Sequence, residues 1–307
     1  MYIDSGLCVR TAGGGGMCVP WPTAAIGIAL VVAVLAVALV PLLVSSRRTP
    51  TASEAAVRAN RHATLGSLVG ATLLVAVLVV FASVSAVAPM SGNGRVVAVL
   101  PAVAGLCLVL AQALTQVTWP RPSGAVREAD LTRRTRADVV PARTHRLLLA
   151  WTAALLAALV VFVAVASGPR TVADRLTAGS PDLGPYPGPY YAVPLALAAV
   201  VLVLATELAL RLVVLRPAVP GVSRDWDLHL RRRSARHLVG GVQLALAATP
   251  SGVLALAGFA HRSAGPAPVG AVLLTAAAGA ALVAVVALLS APRRRRAAGS
   301  VTTAATP

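Results

Sequence analysis

Long apolar runs alternate with short arginine-rich segments along most of this chain. Seven of the runs are nearly free of charge and extend over about 20 residues or more, which is the length that an α-helix needs to cross the hydrocarbon core of a bilayer. The pattern therefore predicts an all-α polytopic integral membrane protein, a bundle of about seven transmembrane helices. The predicted spans are residues 22–44, 65–88, 96–118, 147–167, 192–214, 238–260 and 269–291.

The arginines predict the orientation of this bundle, because arginine-rich connections stay on the cytoplasmic side of a membrane. We expect an extracytoplasmic N-terminal segment (1–21), a seven-helix domain (22–291) and a cytoplasmic basic tail (292–307), so that the N-terminus is out and the C-terminus in. The glycine run before Met17 makes that methionine an alternative start of the protein. Five arginines fall on the predicted outer side: Arg10, Arg95, Arg170, Arg175 and Arg262.

The overall composition agrees with a membrane location. Charged residues make up 12% of the chain, about half the fraction found in soluble domains, and the mean hydropathy is +0.80. The net charge of +17 comes from arginines beside apolar spans, so we expect no nucleic-acid binding. We expect instead anionic lipid headgroups at the inner face, a separate partner subunit, and a place in the inner (plasma) membrane of a bacterium with a GC-rich genome.

The residues offer little for catalysis. The chain has no lysine, which excludes Schiff-base chemistry and a lysine nucleophile. Histidines and cysteines do not follow the spacing of a metal site, and Cys8 and Cys18 could pair only if both reach an oxidising exterior. The sequence therefore predicts neither an enzyme, nor a cofactor, nor a metal centre.

Polar side chains inside the predicted spans are the candidates for function, since such groups are costly in lipid. Glu207 is the ionisable residue at depth, and Arg211 follows it by one helical turn. This spacing suggests an ion pair near the inner interface, with a proton- or substrate-coupled carboxylate as the alternative. If the third, fifth and sixth spans adjoin, a polar patch would form from Glu207, Gln112, Thr115, Gln116 and Gln243, with interhelical hydrogen bonding as the alternative.

Two basic segments between spans resemble each other at a distance of 97 residues in the sequence, which suggests a duplicated helical hairpin, with convergent composition as the alternative. In each segment acidic residues precede the arginines, an order that suits a short interfacial helix. Pro250 lies inside the sixth span, where it is expected to kink the helix. The basic-loop candidates are Arg133, Arg134, Arg136, Arg231, Arg232, Arg233 and Arg236.

The proline-rich segment before the fifth span carries three tyrosines, which we expect at the outer membrane interface as a belt, or as a lip that contacts a ligand. Two classes of function remain open. The first is a transport-related permease or accessory subunit. The alternative is a non-transporting scaffold or regulatory protein whose arginine-rich cytoplasmic loops dock a partner or anionic lipid.

Overall fold

The computed structural model describes residues 6–10, 16–20, 53–87, 94–120, 134–173, 182, 184–265 and 267–289. Apart from a short antiparallel hairpin at the start, all regular elements in these ranges are helices, and five of them are long and apolar enough to cross a membrane. The predicted span 22–44 and the tail 292–307 lie outside the described residues. The elements are β1 (Gly6–Arg10), β2 (Gly16–Pro20), α1 (Glu54–Val87), α2 (Gly94–Val117), α3 (Arg136–Val139), α4 (Ala142–Val165), α5 (Pro189–Leu215), α6 (Arg224–Ala264) and α7 (Ala267–Leu289).

The β-hairpin departs from the all-α prediction, which contains no strands. Its register places Cys8 opposite Cys18. The helices otherwise agree with the predicted spans, but α1 and α6 begin 11 and 14 residues before them. Hydropathy alone misses these extensions because their first turns are polar.

The helix α2 is the centre of the bundle and packs against α1, α5 and α6. Small residues allow these approaches. A β-carbon built at Gly105 would lie 2.9 Å from a methyl of Leu202 on α5 and 3.0 Å from the β-carbon of Ala245 on α6. One built at Gly66 or Gly70 would come within 2.0 Å of Thr115 or 2.8 Å of Leu108. Gly66 and Gly70, four residues apart on α1, therefore permit the close approach of α2.

All five long helices from α1 to α6 have a terminus at one end of the bundle, which we call the arginine-rich end. At this end α2 and α5 end, and α1, α4 and α6 begin. Two contacts show this: His62 of α1 contacts the main chain of Thr115 near the end of α2, and Arg231 of α6 contacts the main chain of Val213 near the end of α5. The opposite end, which we call the tyrosine end, holds Tyr186 and Tyr191. At the tyrosine end α6 and α7 form a hairpin in which Gly258 packs against Gly270.

The longest helix, α6, replaces a predicted loop. It extends over 41 residues from an N-cap at Ser223, whose side chain accepts a hydrogen bond from the amide of Trp226. Asp225 and Asp227 lie in the first turn, as the helix dipole favours. The expected short interfacial helix is therefore not a separate element, and the helix also continues through Pro250.

The segment that precedes α5 folds back over the tyrosine end. The amide of Tyr186 donates to the carbonyl of Arg170 at 2.8 Å, and that of Tyr190 donates to Pro169 at 2.9 Å. Tyr186 is fully buried, with its ring edge-on to Phe162 and His261. The prediction of an interfacial position is wrong for Tyr186, because this side chain fills the end of the helix bundle and does not lie at its rim.

Candidate functional site

Three side chains from three elements meet at the arginine-rich end. Glu207 lies eight residues before the end of α5, His145 on the first turn of α4, and Arg136 begins α3. The imidazole Nε2 of His145 lies 2.5 Å from Glu207 Oε1, and Arg136 Nη1 lies 3.0 Å from Glu207 Oε2. The carboxylate is half-buried, and the Arg136 side chain, 50% exposed, leads from it to solvent.

This arrangement corrects the expected pair of Glu207 and Arg211. Arg211 is exposed on α5, and among the described residues the carboxylate is held by groups from other helices. A spacing of four residues brings two side chains to one face of a helix, but here that face is opposed by α3 and α4. The pair with His145 spans 62 positions of the chain, so no local pattern could have predicted it.

The hydrogen bonds of this site depend on where one proton lies. Arg136 Nη1 is also 3.0 Å from His145 Nε2, and a guanidinium only donates hydrogen bonds. When Nε2 is bare, its single lone pair accepts either from Arg136 or from a protonated Glu207 carboxyl group. When Nε2 is protonated it donates to the carboxylate, and Arg136 is left with Glu207 Oε2. The two protonation states differ by the transfer of one proton between two atoms that lie 2.5 Å apart.

The predicted polar patch does not form, although α2, α5 and α6 do adjoin. Gln112 donates to the hydroxyl of Ser67 at 3.3 Å, and Gln243 donates to the carbonyl of Thr144 at 2.8 Å. Gln116 accepts from Arg216 at 3.4 Å. Each glutamine therefore joins a different pair of elements, and these contacts are interhelical hydrogen bonds of the ordinary kind.

Arg231 is fully buried and holds the end of α5. Its guanidinium donates to the carbonyl oxygens of Val213, Val214 and Arg216 at 2.8, 2.9 and 2.8 Å, which are among the carbonyl groups that a helix leaves without partners in its last turn. Its Nε donates to Asp227 Oδ2 at 2.7 Å. A cation at a helix C-terminus is also favoured by the helix dipole. Arg231 was predicted as a loop residue, and it is a buried structural one.

Arg216 lies beside this group, between α2 and α6. Its guanidinium carbon stands 3.9 Å above the ring of Trp119, a cation–π contact, and its Nη2 is 4.0 Å from Asp227 Oδ1. Burial, together with the nearby charges of Arg231 and Arg134, lowers the pKa of Arg216 to about 9. The guanidinium therefore remains charged at neutral pH.

The other predicted basic residues divide into two sets. Arg233 is buried and donates to Asn60 at 3.2 Å and to Thr64 at 3.4 Å, so it joins α6 to α1. Arg232 and Arg236 are exposed on the same helix, and Arg232 donates to the carbonyl of Asp138 at 2.7 Å. Arg134 is partly buried near Asp227. Residues 121–133, which include Arg133 and most of the first of the two similar basic segments, lie outside the described residues. The duplication therefore stays a prediction.

Within the described part of the chain, no three histidine, cysteine or acidic side chains are grouped closely enough to hold a metal ion. No protein-family model, curated protein or solved structure matches this chain.

Proposed function

We propose that this chain is a transport-related membrane protein in which Glu207 and His145 exchange a proton with the cytoplasmic aqueous phase. The observation that supports it is the 2.5 Å contact between the carboxylate and the imidazole, on a helix of membrane-spanning length. Carboxylate and histidine side chains at such positions are the usual groups of proton relays. The positive-inside rule assigns the arginine-rich end to the cytoplasm, with the N-terminus outside and seven spans in the inner membrane.

The geometry supports proton exchange through three features. The carboxylate is 26% exposed, so that a proton can reach it from water. Arg136 Nη1 lies 3.0 Å from both partners, so that it can donate to Glu207 Oε2 whichever of the two groups holds the proton. The three groups also lie on different elements, α3, α4 and α5, and a change in their bonding therefore acts on how those elements pack.

The test compares Glu207→Gln with Glu54→Gln in a strain that lacks the native gene. Glu54 is exposed at the start of α1 and is therefore a matched control at the same end of the bundle. Glutamine keeps the shape and hydrogen bonding of glutamate but cannot ionise. We expect Glu207→Gln to reach normal membrane abundance without restoring the phenotype of the deletion, whereas Glu54→Gln restores it. Full complementation by Glu207→Gln would rule out the proposed role.

A direct readout is the infrared difference spectrum of the purified protein after a pH step. A carboxyl band that appears in the wild type, is lost in Glu207→Gln and persists in Glu54→Gln supports proton uptake at Glu207. The same band in all three proteins contradicts it.

The second candidate is a non-transporting scaffold or regulatory protein, and the observation that favours it is the set of exposed arginines at the arginine-rich end. These side chains suit a partner or lipid of opposite charge. Two observations together would support this function instead. A partner subunit co-purifies with the wild type and is lost when exposed arginines are replaced by glutamine, and the Glu207→Gln variant is fully active. The exposed set is Arg58, Arg61, Arg136, Arg143, Arg146, Arg211, Arg224, Arg232 and Arg236.

A further inference from the structure

Three guanidinium groups surround a single carboxylate between the ends of α2 and α5 and the start of α6. Asp227 accepts from Arg231 at 2.7 Å, while Arg216 and Arg134 each approach it only to 4.0 Å. Arg231 and Arg216 are both inaccessible to solvent. Uncompensated positive charge is costly in such a place, and one aspartate cannot neutralise both of these buried arginines.

The contacts of Arg231 and Arg216 show which of the two charges is less completely balanced. Arg231 directs its nitrogens to Asp227 and to the last carbonyl groups of α5, so its charge is balanced by a carboxylate and by the negative end of a helix. Within the described part of the chain, the Arg216 guanidinium makes one hydrogen bond, from Nη1 to Gln116, contacts the face of Trp119, and approaches Asp227 to 4.0 Å. The excess charge therefore lies at Arg216.

Unsatisfied hydrogen-bonding atoms occur at the same place. Among the described residues, Nε and Nη2 of Arg216 and Nε2 of Gln116 are buried donors without a hydrogen-bond partner, and Asp227 Oδ1 is a buried acceptor without one. Buried polar atoms are rarely left in this condition. Three donors of this kind, two of them on a guanidinium, match the oxygens of a phosphate group, whereas Asp227 Oδ1 requires a donor such as a hydroxyl.

We propose that Arg216, Gln116 and Asp227 form a binding site for a phosphate group that carries a hydroxyl. The phosphate oxygens accept from Arg216 Nε and Nη2 and from Gln116 Nε2, and the hydroxyl donates to Asp227 Oδ1. Arg134, whose side chain is 19% exposed, forms the rim through which the ligand enters. Phosphatidylglycerol has both groups in its headgroup, and inorganic phosphate at neutral pH has both in one small ion.

The site is distinct from attraction of lipid to the exposed arginines, and the experiment separates the two. The full chain is purified in detergent, and its Tm is measured with phosphatidylglycerol, with phosphatidylcholine and with inorganic phosphate. The variants are Arg134→Gln, at the rim of the site, and Arg211→Gln, an exposed arginine at the same end of the bundle. Native mass spectrometry counts the lipids that remain bound to each variant.

We expect phosphatidylglycerol to raise the Tm of the wild type by about 5 °C over phosphatidylcholine, as a ligand held at about 100 times its Kd does for a chain of this size. Arg134→Gln should lose at least half of this shift, and Arg211→Gln should keep it. If inorganic phosphate raises the Tm with the same dependence on Arg134, the ligand is the free ion. If only phosphatidylglycerol raises the Tm in this way, the ligand is the lipid headgroup. Both results support the site.

Two results overturn the proposal. One is the absence of any shift with either probe in the wild type. The other is an equal loss of the shift in Arg134→Gln and Arg211→Gln, because that result assigns the effect to general surface charge. Arg216→Gln serves as a further variant where it folds, and there the bound lipid or ion should be absent from the mass spectrum.

Discussion

Arg231 donates a hydrogen bond of 2.8 Å to the carbonyl oxygen of Val213, and so the start of α6 closes the end of α5. The same guanidinium reaches Val214 and Arg216 and is held in turn by Asp227. A side chain of α6 therefore holds the turn between the two helices. Gly221 in this turn has a φ of 68°, a conformation that glycine adopts without strain.

We expect Arg231→Met to lower the free energy of unfolding by about 3–5 kcal/mol, the usual effect of removing one partner of a buried ion pair. Methionine fills a similar volume but leaves Asp227 and the carbonyl groups of α5 unsatisfied. Denaturant titration in mixed micelles measures the change. Arg236→Met on the exposed side of α6 is the control and should stay within about 0.5 kcal/mol of the wild type. Equal effects of the two substitutions would contradict the role of Arg231.

The close packing of α2 predicts opposite effects for one substitution at two glycines. Gly105→Ala places a methyl group 2.9 Å from Leu202 and 3.0 Å from Ala245, and such overpacking costs about 1–3 kcal/mol. At Gly252 nothing lies within 4 Å of the new β-carbon, so alanine there should be neutral or should stabilise α6 by up to about 1 kcal/mol. Thermal unfolding of both variants in one detergent checks the sign. A lower Tm for Gly252→Ala than for Gly105→Ala would refute this account of the α2 contacts.

Tyr186 should contribute through its ring more than through its hydroxyl. Its hydroxyl oxygen lies 3.4 Å from His261 Nε2, near the limit for a hydrogen bond, while the ring is fully buried. We expect Tyr186→Phe to change the free energy of unfolding by no more than about 1 kcal/mol, and Tyr186→Ala to lower it by about 3–5 kcal/mol. Both are measured against the wild type by denaturant titration. A loss in the phenylalanine variant as large as in the alanine variant would show that the hydroxyl dominates.

The same tyrosine predicts a dependence on alkaline pH. Burial raises the pKa of Tyr186 from 10.0 to about 12, so the folded state holds this proton more tightly than the unfolded state. Its contribution to stability is complete below about pH 10 and is lost as the pH rises toward 12. In a phenolate absorbance titration, the difference between wild type and Tyr186→Phe should have its midpoint near pH 12. A midpoint near 10 would mean that the hydroxyl is solvated.

The sequence predicted the helices better than the contacts between them. Apolar runs locate most of α2, α4, α5 and α7 because burial in lipid requires continuous hydrophobicity. The sequence pattern does not predict the first turns of α6, because the consecutive charges of Arg231 to Arg233 are typical of a cytoplasmic loop. A helical signal was nevertheless present, since Asp227, Arg231, Ser234, Leu238 and Val242 recur at helical spacing and all are buried.

The candidate site could be predicted only in part. The isolated acidic residue in an apolar run identified Glu207, because an ionisable group at depth needs a reason to be there. Its partners could not be found in the same way, since Arg136 is 71 positions away and His145 is 62. Only the packing of α3 and α4 against α5 and α6 brings them to the carboxylate.

The length of α6 has a mechanical consequence. At about 1.5 Å per residue, its 41 residues extend for roughly 60 Å, twice the thickness of a bilayer core of about 30 Å. The same helix contacts Asp138 through Arg232 at the arginine-rich end and Tyr186 through His261 at the tyrosine end. A tilt of α6 at one end would therefore displace the other end, and the helix should bend most easily at Pro250, which has no backbone N–H to donate.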